Sequence, residues 1–301
     1  MQTSAGTPPA EVEVAPALVA GLLADQHPDL AGLSLAPVDA GWDNFIFRLG
    51  PALAVRLPRR AAAAPLIAHE QTWLPRLAGR LTLPAPVPLR VGAPGRGFPW
   101  GWSVVPWLSG APADLREPDA DQAPAFGAFL RALHGPAPAD APANPFRGVP
   151  LAARVPSAEE RVGRLAGRTD LLTPGLLGLW REAVAAPLDA PPTWLHGDLH
   201  PRNILVEGGA ISGVIDWGDL TAGDPATDLA AIWMLFGAPV ARAAALAAYG
   251  PPSAATLLRA RGWAILFGVM LLDTGLADHP RHAAIGARAL RRVAASLEGG
   301  V

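Results

Sequence analysis

Three polar residues in one short stretch have the types and spacing of a magnesium site. Asp198 precedes Asn203 by five residues, and Asp216 follows thirteen residues later in the sequence. Two short apolar runs on either side of Gly208-Gly209 predict a tight hairpin. That hairpin brings the loop before it next to the loop after it, so we expect the three side chains to converge. Two carboxylates and an amide oxygen are ligands that suit Mg²⁺ rather than a soft metal.

The same spacing fits a template for phosphoryl transfer. Protein kinases carry His-Arg-Asp, an Asn five residues after that Asp, and then Asp-Phe-Gly. Here His196 precedes Asp198 by two residues, and Asp216-Trp-Gly stands in place of Asp-Phe-Gly. In the template the first Asp accepts or orients the hydroxyl proton of the substrate, and the Asn and the later Asp hold the metal that bridges the ATP phosphates. A predicted helix cap at Asp224-Pro225 follows closely and leaves no room for a peptide-docking segment, so a small hydroxylated molecule is the expected acceptor.

The elements that must position these residues fall into two parts. The first part, residues 1–108, reads as antiparallel strands plus a helix, and the second, residues 109–301, is mainly helical around a strand-and-loop island at residues 193–223. We therefore predict an α+β chain with an N-terminal nucleotide-binding lobe and a C-terminal catalytic and substrate lobe. The predicted strands are 33–40, 44–49, 52–57, 87–91 and 102–107; the predicted helices are 12–26, 62–78, 123–134, 157–168, 174–186, 225–236, 240–249, 254–273 and 282–297.

A three-part motif gives the island a family resemblance. It consists of His-Gly-Asp-Leu-His-Pro-Arg-Asn-Ile-Leu from His196, Val-Ile-Asp-Trp-Gly-Asp from Val214, and Gly-Asp-Pro-Ala-Thr-Asp-Leu-Ala from Gly223. This pattern resembles the aminoglycoside phosphotransferase family, which includes macrolide phosphotransferases and relatives of choline and homoserine kinases. The resemblance implies a protein-kinase-like two-lobe fold with an antiparallel sheet and a helix in the N-lobe and a mainly helical C-lobe. It also implies a Mg²⁺-dependent enzyme that transfers the γ-phosphate of ATP or GTP to a hydroxyl of a small molecule.

The resemblance assigns roles in the island residue by residue. It implies that Asp198 is the catalytic residue and that Asn203 and Asp216 are the metal ligands. Four further residues are expected to support the loop: His196, His200, Asp224 and Asp228.

The resemblance also assigns nucleotide-binding roles in the N-lobe. Arg56 stands where the family has a phosphate-binding Lys, and Glu70 would be its partner. The turn at Gly41 and Asn44 would cover the phosphates. A hinge over residues 104–108, which includes Val105 and Trp107, would read the adenine edge through its backbone. Two departures from the kinase pattern are that no Gly-x-Gly-x-x-Gly loop is present and that Arg replaces Lys, whose reach and geometry differ.

Composition excludes several other classes. The 301 residues carry a net charge of −2 and no cysteine, so disulfides, thiolate metal sites and cysteine nucleophiles are absent. The sequence has no basic stripe of the kind that would indicate a nucleic-acid partner. The chain start carries Glu11 and Glu13 and no basic segment typical of an export signal, and the longest apolar stretches fall short of the roughly 18–20 residues of a membrane span. We expect a cytoplasmic protein, monomeric or homodimeric, with no membrane partner.

Several alternatives stay open. An antibiotic such as an aminoglycoside or a macrolide is the expected acceptor, and with it a role in antibiotic resistance, but a metabolic alcohol kinase of the same fold fits as well. Asp273 and Asp278 could contact a cationic substrate or could be ordinary surface carboxylates. The alternation of His196, Asp198 and His200 would also suit a zinc hydrolase if it lay on a strand. A nucleotide-binding protein without catalysis is the last alternative.

Overall fold

The computed structural model describes residues 8–299, and these divide into two compact units. Residues Pro8–Gly79 and Pro84–Ser109 form one, called here the sheet unit. Residues Arg80–Leu83 and the chain from Gly110 onward form the other, called the helical unit. The expected lack of an export signal concerns a chain start that lies partly outside the described residues.

The sheet unit is a five-stranded antiparallel sheet with two helices. Its strands follow the order β1-β2-β3-β5-β4. Apolar side chains of the first helix and the strands close a single core, in which Trp102 is fully buried against Gly92. A Cβ on that glycine would lie 1.8 Å from the indole, so only glycine fits there. The elements are α1 (Pro16–Gln26), β1 (Leu35–Ala40), β2 (Asn44–Leu49), β3 (Leu53–Pro58), α2 (Ala64–Leu77), β4 (Arg90–Gly92) and β5 (Trp102–Pro106).

The helical unit surrounds two small antiparallel sheets. One sheet has the strand order β6-β8-β9 and the other pairs β7 with β10. The strands are β6 (Ala111–Pro112), β7 (Thr193–Leu195), β8 (Ile204–Glu207), β9 (Ala210–Val214) and β10 (Thr221–Gly223). The helices are α3 (Ala123–Leu133), α4 (Val155–Leu165), α5 (Pro174–Ala185), α6 (Ala226–Leu229), α7 (Ala231–Leu235), α8 (Pro239–Tyr249), α9 (Ala254–Asp278) and α10 (Pro280–Gly299).

The hairpin between β8 and β9 is built as its sequence predicts. Gly208 and Gly209 turn the chain with φ of 59° and 90°, a region that glycine enters without steric cost. The paired strands end in a hydrogen bond of 2.8 Å from Ile215 N to Asn203 O. This bond places Asn203 beside the residue that precedes Asp216.

The long helix α9 forms the core of the helical unit. It packs against α10 and α5, and the close crossing with α10 depends on glycine: a Cβ on Gly275 would lie 2.0 Å from Ala283 N. Among the described residues, α9 is the one helix whose length and composition would allow it to cross a membrane. Most of it is buried inside the unit, as in the core helix of a globular domain.

The predicted α+β class is confirmed, and the differences from the predicted elements are local. The strand expected from residue 87 begins only at Arg90, because prolines at 84, 86 and 88 lack the N–H group that a sheet requires. The helix expected over 225–236 is two short helices that meet at Ala230, which keeps helical dihedral angles. The short strand β6 lies in a stretch for which no strand is predicted.

Candidate functional site

The Asp198 carboxylate lies in the loop between β7 and β8 and is bonded unequally at its two oxygens. Oδ1 accepts a hydrogen bond of 2.8 Å from Arg147 Nη2. Among the described residues, the polar neighbours of Oδ2 are His200 Nε2 and Asn203 Nδ2, each at 3.4 Å. Burial alone would raise the pKa of Asp198, but the Arg147 guanidinium and His200 hold it well below its usual range. Asp198 is therefore ionised, with one oxygen fixed and the other lightly held.

The backbone of this loop is anchored by Asp228 of α6. The fully buried Asp228 carboxylate accepts hydrogen bonds from His196 N at 2.7 Å and from Gly197 N at 2.9 Å. Gly197 has φ of 86°, and a Cβ there would lie 2.6 Å from Asp219 O. Two oxygens of one buried side chain thus fix two successive peptide groups directly before Asp198.

The two histidines of the loop have their ring nitrogens engaged. His196 Nε2 faces Ile215 O at 3.0 Å, and its Nδ1 accepts from Asp198 N at 3.2 Å. Burial lowers the pKa of His196, so the ring is neutral, and it lies 4.7 Å from the Trp217 ring. His200 Nδ1 accepts from Arg202 N, which leaves the hydrogen on Nε2, the nitrogen that faces Asp198.

Asn203 and Asp216 offer oxygen donors of the kind that magnesium prefers. Asn203 Nδ2 donates to Asp198 O at 2.9 Å, so the amide nitrogen is turned toward the loop. Asp216 is exposed and adopts a left-handed backbone with φ of 64°, a strained conformation for a residue other than glycine. A carboxylate and an amide oxygen at the two ends of one hairpin are donors that fit Mg²⁺, which is usually held by one or two carboxylates together with substrate phosphates.

A zinc hydrolase does not fit the same residues. Nowhere in residues 8–299 do three or more His, Asp and Glu side chains lie where they could hold a metal ion. Both ring nitrogens of His196 face backbone atoms, and the residues around Asp198 form a loop rather than the strand that would align His196 with His200. The alternating His-Asp-His pattern therefore does not form a zinc triad.

Asp224 supports the start of α6 and an ion pair to α9. Its Oδ1 accepts from Ala226 N at 3.2 Å, and its Oδ2 lies 2.7 Å from Arg259 Nε. It lies one residue before Pro225, the residue that caps α6. Asp224 therefore links α6 to α9.

Three residues beside Asp198 were not singled out from the sequence: Arg147, Asn144 and Asp219. Arg147 and Asn144 lie in the proline-rich segment 135–150, and Asn144 Nδ2 donates to Asp219 Oδ1 at 2.6 Å. Burial raises the pKa of Asp219 to about 6; Arg147 opposes the rise, and the neighbouring Asp198 adds to it. The only local signal for this segment is Asn144-Pro145, a pair that favours a turn.

In the sheet unit, Arg56 and Glu70 come together. Arg56 Nη1 lies 2.5 and 2.6 Å from the two carboxylate oxygens of Glu70, and both side chains are buried. Gly41 N donates to Asn44 O at 2.9 Å, which closes the turn between β1 and β2. The buried Oδ1 of Asn44 has no hydrogen-bond partner within the described part of the chain, and Arg59 Nη1 donates to Gly41 O at 2.5 Å.

The predicted hinge residues lie in and after β5. Val105 is buried in the sheet opposite Ala54. Trp107 is partly exposed, with the Arg48 guanidinium 4.1 Å from its ring centroid. Its backbone N–H donates to Ala52 O at 2.8 Å, so this donor is already engaged inside the sheet unit.

Asp273 and Asp278 differ in their surroundings. Asp273 is buried, and its carboxylate pairs with Arg161 at 3.0 Å and with Arg164 at 2.6 Å. Asp278 is exposed at the end of α9. The charge of Asp273 is therefore neutralised inside the protein and is not presented to a cationic ligand.

The chain matches a family model and is similar in structure to known enzymes. The model of a phosphotransferase enzyme family, APH, matches residues 34–263, whereas no curated protein sequence matches significantly. The GDP complex of wild-type aminoglycoside 2'-phosphotransferase-IIIa is similar with a TM-score of 0.67 at 18% identity, covering 94% of this chain and 100% of that one. The apoenzyme of macrolide 2'-phosphotransferase MphH from Brachybacterium faecium is similar with a TM-score of 0.59 at 24% identity, covering 90% and 97%. These likenesses show that the predicted kinase-like fold is correct.

Proposed function

The chain belongs to the phosphotransferase enzyme family, and from that membership we propose that it transfers the γ-phosphate of ATP or GTP to a hydroxyl of a small molecule in the cytoplasm. The observation that carries the proposal is the Asp198 carboxylate, which is ionised, held by Arg147 at Oδ1 and lightly held at Oδ2. Such an oxygen can accept a hydrogen bond from an incoming hydroxyl.

Asn203 and Asp216 are the residues that we propose to hold Mg²⁺. Mg²⁺ held there would supply positive charge that offsets the negative charge developing on the nucleotide phosphates during transfer. The hydrogen bond from Asn203 Nδ2 to Asp198 O orients the Asn203 amide. The left-handed backbone at Asp216 sets the direction in which the chain carries its carboxylate. The hairpin holds these two residues in fixed positions, so little reorganisation is needed when the nucleotide binds.

The transfer step needs little covalent chemistry from the protein. The acceptor oxygen forms a bond to the γ-phosphorus while the bond from that phosphorus to the bridging oxygen breaks, and its electron pair leaves with the nucleoside diphosphate. The hydroxyl proton passes to Asp198 Oδ2. Because the pKa of Asp198 is low, this residue is a weak base, and its main contribution is to orient the hydroxyl in a loose transition state.

In the sheet unit, we assign Arg56 to the nucleotide phosphates, with Glu70 fixing its guanidinium. The turn that includes Gly41 and Asn44 would offer its backbone N–H groups to the phosphates. Val105 and its neighbours in β5 would contact the base. The buried and partnerless Oδ1 of Asn44 supports a polar ligand at this turn.

For the acceptor, the family resemblance favours an antibiotic, and the names of the neighbours cover both aminoglycosides and macrolides. One observation favours the second candidate, a metabolic alcohol kinase. Asp273, Asp114 and Glu117 each pair with arginines of the helical unit, so these three carboxylates are already engaged and offer little charge to a polycationic aminoglycoside.

The test of the proposed function is Asp198→Asn, which keeps the shape of the side chain and removes its charge. We expect phosphate transfer to fall by about 100- to 10,000-fold while the affinity for nucleotide changes little. Transfer is measured by mass spectrometry with ATP and GTP across a panel of alcohols and antibiotics. Asp170→Asn, at an exposed residue of the same unit, is the matched control. Equal transfer by wild type and Asp198→Asn would refute the assignment.

A further inference from the structure

Beside Asp198 the helical unit holds a group of three arginines, Arg147, Arg154 and Arg161, called here the arginine cluster. Arg147 binds Asp198, and its guanidinium carbon lies 5.0 Å from the Phe267 ring centroid. Arg161 binds Asp273 at 3.0 Å. Arg154 ends the short helical turn that leads into α4. The cluster thus extends from the reactive carboxylate toward α4.

Arg154 differs from the other two because nothing neutralises it. The residue is only 8% exposed, its Nε is buried, and within residues 8–299 Arg154 makes no ion pair and no side-chain hydrogen bond. Its one specific contact is the Phe146 ring, with the guanidinium carbon 5.3 Å from the ring centroid. Buried charges in proteins are normally paired, because removing a charge from water is costly.

The cluster as a whole has unsatisfied donors. The Nε–H groups of Arg147, Arg154 and Arg161 are all buried without an acceptor in the described part of the chain. Burial, with added repulsion from Arg147 and Arg161, lowers the pKa of Arg154 to about 10. Grouped N–H donors with excess positive charge are what an anionic oxygen group requires.

We propose that Arg154, supported by the arginine cluster, binds an anionic oxygen group, a carboxylate or a phosphate, carried by the acceptor. This inference rests on the proposed function, because it places the anion next to the residue that binds Asp198. The acceptor is then an anionic alcohol, and the same cluster repels a polycationic aminoglycoside. Phe146, which is 57% exposed, offers its ring as an apolar surface against the Arg154 guanidinium.

A purely structural Arg154 predicts different behaviour from an anion-binding one. Arg154→Met keeps an unbranched stem that packs against Phe146 but removes the charge. Because no hydrogen bond or ion pair is lost, we expect its thermal midpoint to equal or exceed that of wild type. A midpoint several degrees lower would show that the guanidinium stabilises the fold and would overturn the inference.

The decisive measurement is anion binding by the full chain, which needs no turnover. Inorganic phosphate and glycerate are titrated by calorimetry into protein that holds a saturating non-hydrolysable analogue of ATP or GTP with Mg²⁺, so that all nucleotide-phosphate contacts are already filled. We expect Arg154→Met to weaken binding by about 10- to 100-fold, the worth of one charge-assisted contact, and Arg154→Lys to weaken it less. Arg181→Met, at an exposed arginine of α5, should bind as wild type does. Equal binding by wild type and Arg154→Met, or no binding by wild type, overturns the inference.

Transfer rates for pairs of acceptors that differ in charge then show whether the anionic group is a carboxylate or a phosphate. Glycerate is compared with glyceramide, and glycerol phosphate with glycerol, with kanamycin as the polycation. A preference for glycerate indicates a carboxylate and a preference for glycerol phosphate indicates a phosphate, and Arg154→Met should abolish either one. A preference for the neutral or polycationic member contradicts the inference. Failure of the proposed function is distinct, because it appears as equal phosphate transfer by wild type and Asp198→Asn whatever the anion titrations show.

Discussion

Asp228→Asn provides a sharp test of how the loop before Asp198 is held. The two carboxylate oxygens accept from His196 N at 2.7 Å and from Gly197 N at 2.9 Å, and the side chain is fully buried. The amide can keep one acceptor, but its NH₂ group then faces the other backbone N–H. One charge-assisted hydrogen bond, worth about 1.5 to 3 kcal/mol, is lost, and a buried N–H is left without a partner.

We therefore expect Asp228→Asn to lower the free energy of unfolding by about 2 to 4 kcal/mol. For a unit of this size each kcal/mol corresponds to about 2 to 4 °C in thermal midpoint. Because the affected peptide groups directly precede Asp198, we also expect kcat to fall by about 10- to 100-fold, with the nucleotide KM nearly unchanged. The loss of stability is measured by thermal unfolding, and kcat and KM are measured by steady-state transfer assays.

Asp170→Asn is the control for loss of one negative charge at an exposed position. It should leave the thermal midpoint within about 1 °C of wild type, since substitutions at exposed positions have small effects. If Asp228→Asn unfolded at the same temperature as this control, the two backbone hydrogen bonds would contribute little. The Asp228 carboxylate would then not be what fixes the loop before Asp198.

Three further outcomes are expected. Arg56→Met should lower the free energy of unfolding of the sheet unit by about 3 to 5 kcal/mol, because it leaves the buried Glu70 carboxylate uncompensated, and the double variant with Glu70→Leu should recover most of it in chemical denaturation. Burial lowers the pKa of His282 to about 3 from 6.5, so the unfolded chain takes up this proton at higher pH than the folded protein does. Unfolding free energy should therefore fall as pH drops below about 6.5, and an equal drop between pH 7.5 and 5 in His282→Gln would contradict this. EDTA should abolish phosphate transfer and Mg²⁺ should restore it, whereas full activity in EDTA would remove the assigned roles of Asn203 and Asp216.

The sequence predicts best what depends on near neighbours. The hairpin between β8 and β9 follows from a turn and apolar runs that are both local, and the structure closes it as expected, with Asn203 beside the residue that precedes Asp216. The pairing of Arg56 with Glu70 is different, since it spans two elements and was expected only from the family resemblance. It is nevertheless present as a buried ion pair.

What the sequence could not predict is the contact between distant loops. Arg147 and Asp198 are 51 positions apart, and neither lies on a periodic element that would orient it. The proline-rich segment is held by backbone contacts, including Thr221 Oγ1 donating to Pro142 O at 2.8 Å and Asp224 N donating to Gly148 O at 3.0 Å. Such contacts depend on how the whole unit packs, so pattern and propensity carry no signal for them.

The guanidinium of Arg56, which we propose stands in for the phosphate-binding amine of kinases, has a chemical consequence. Acylating probes that label kinases react with a side-chain amine close to the nucleotide, and this sequence contains no lysine at all. A guanidinium stays protonated at neutral pH and does not acylate under those conditions. Profiling methods that depend on lysine labelling will therefore leave the segment around Arg56 unmodified even when the protein is folded and saturated with nucleotide.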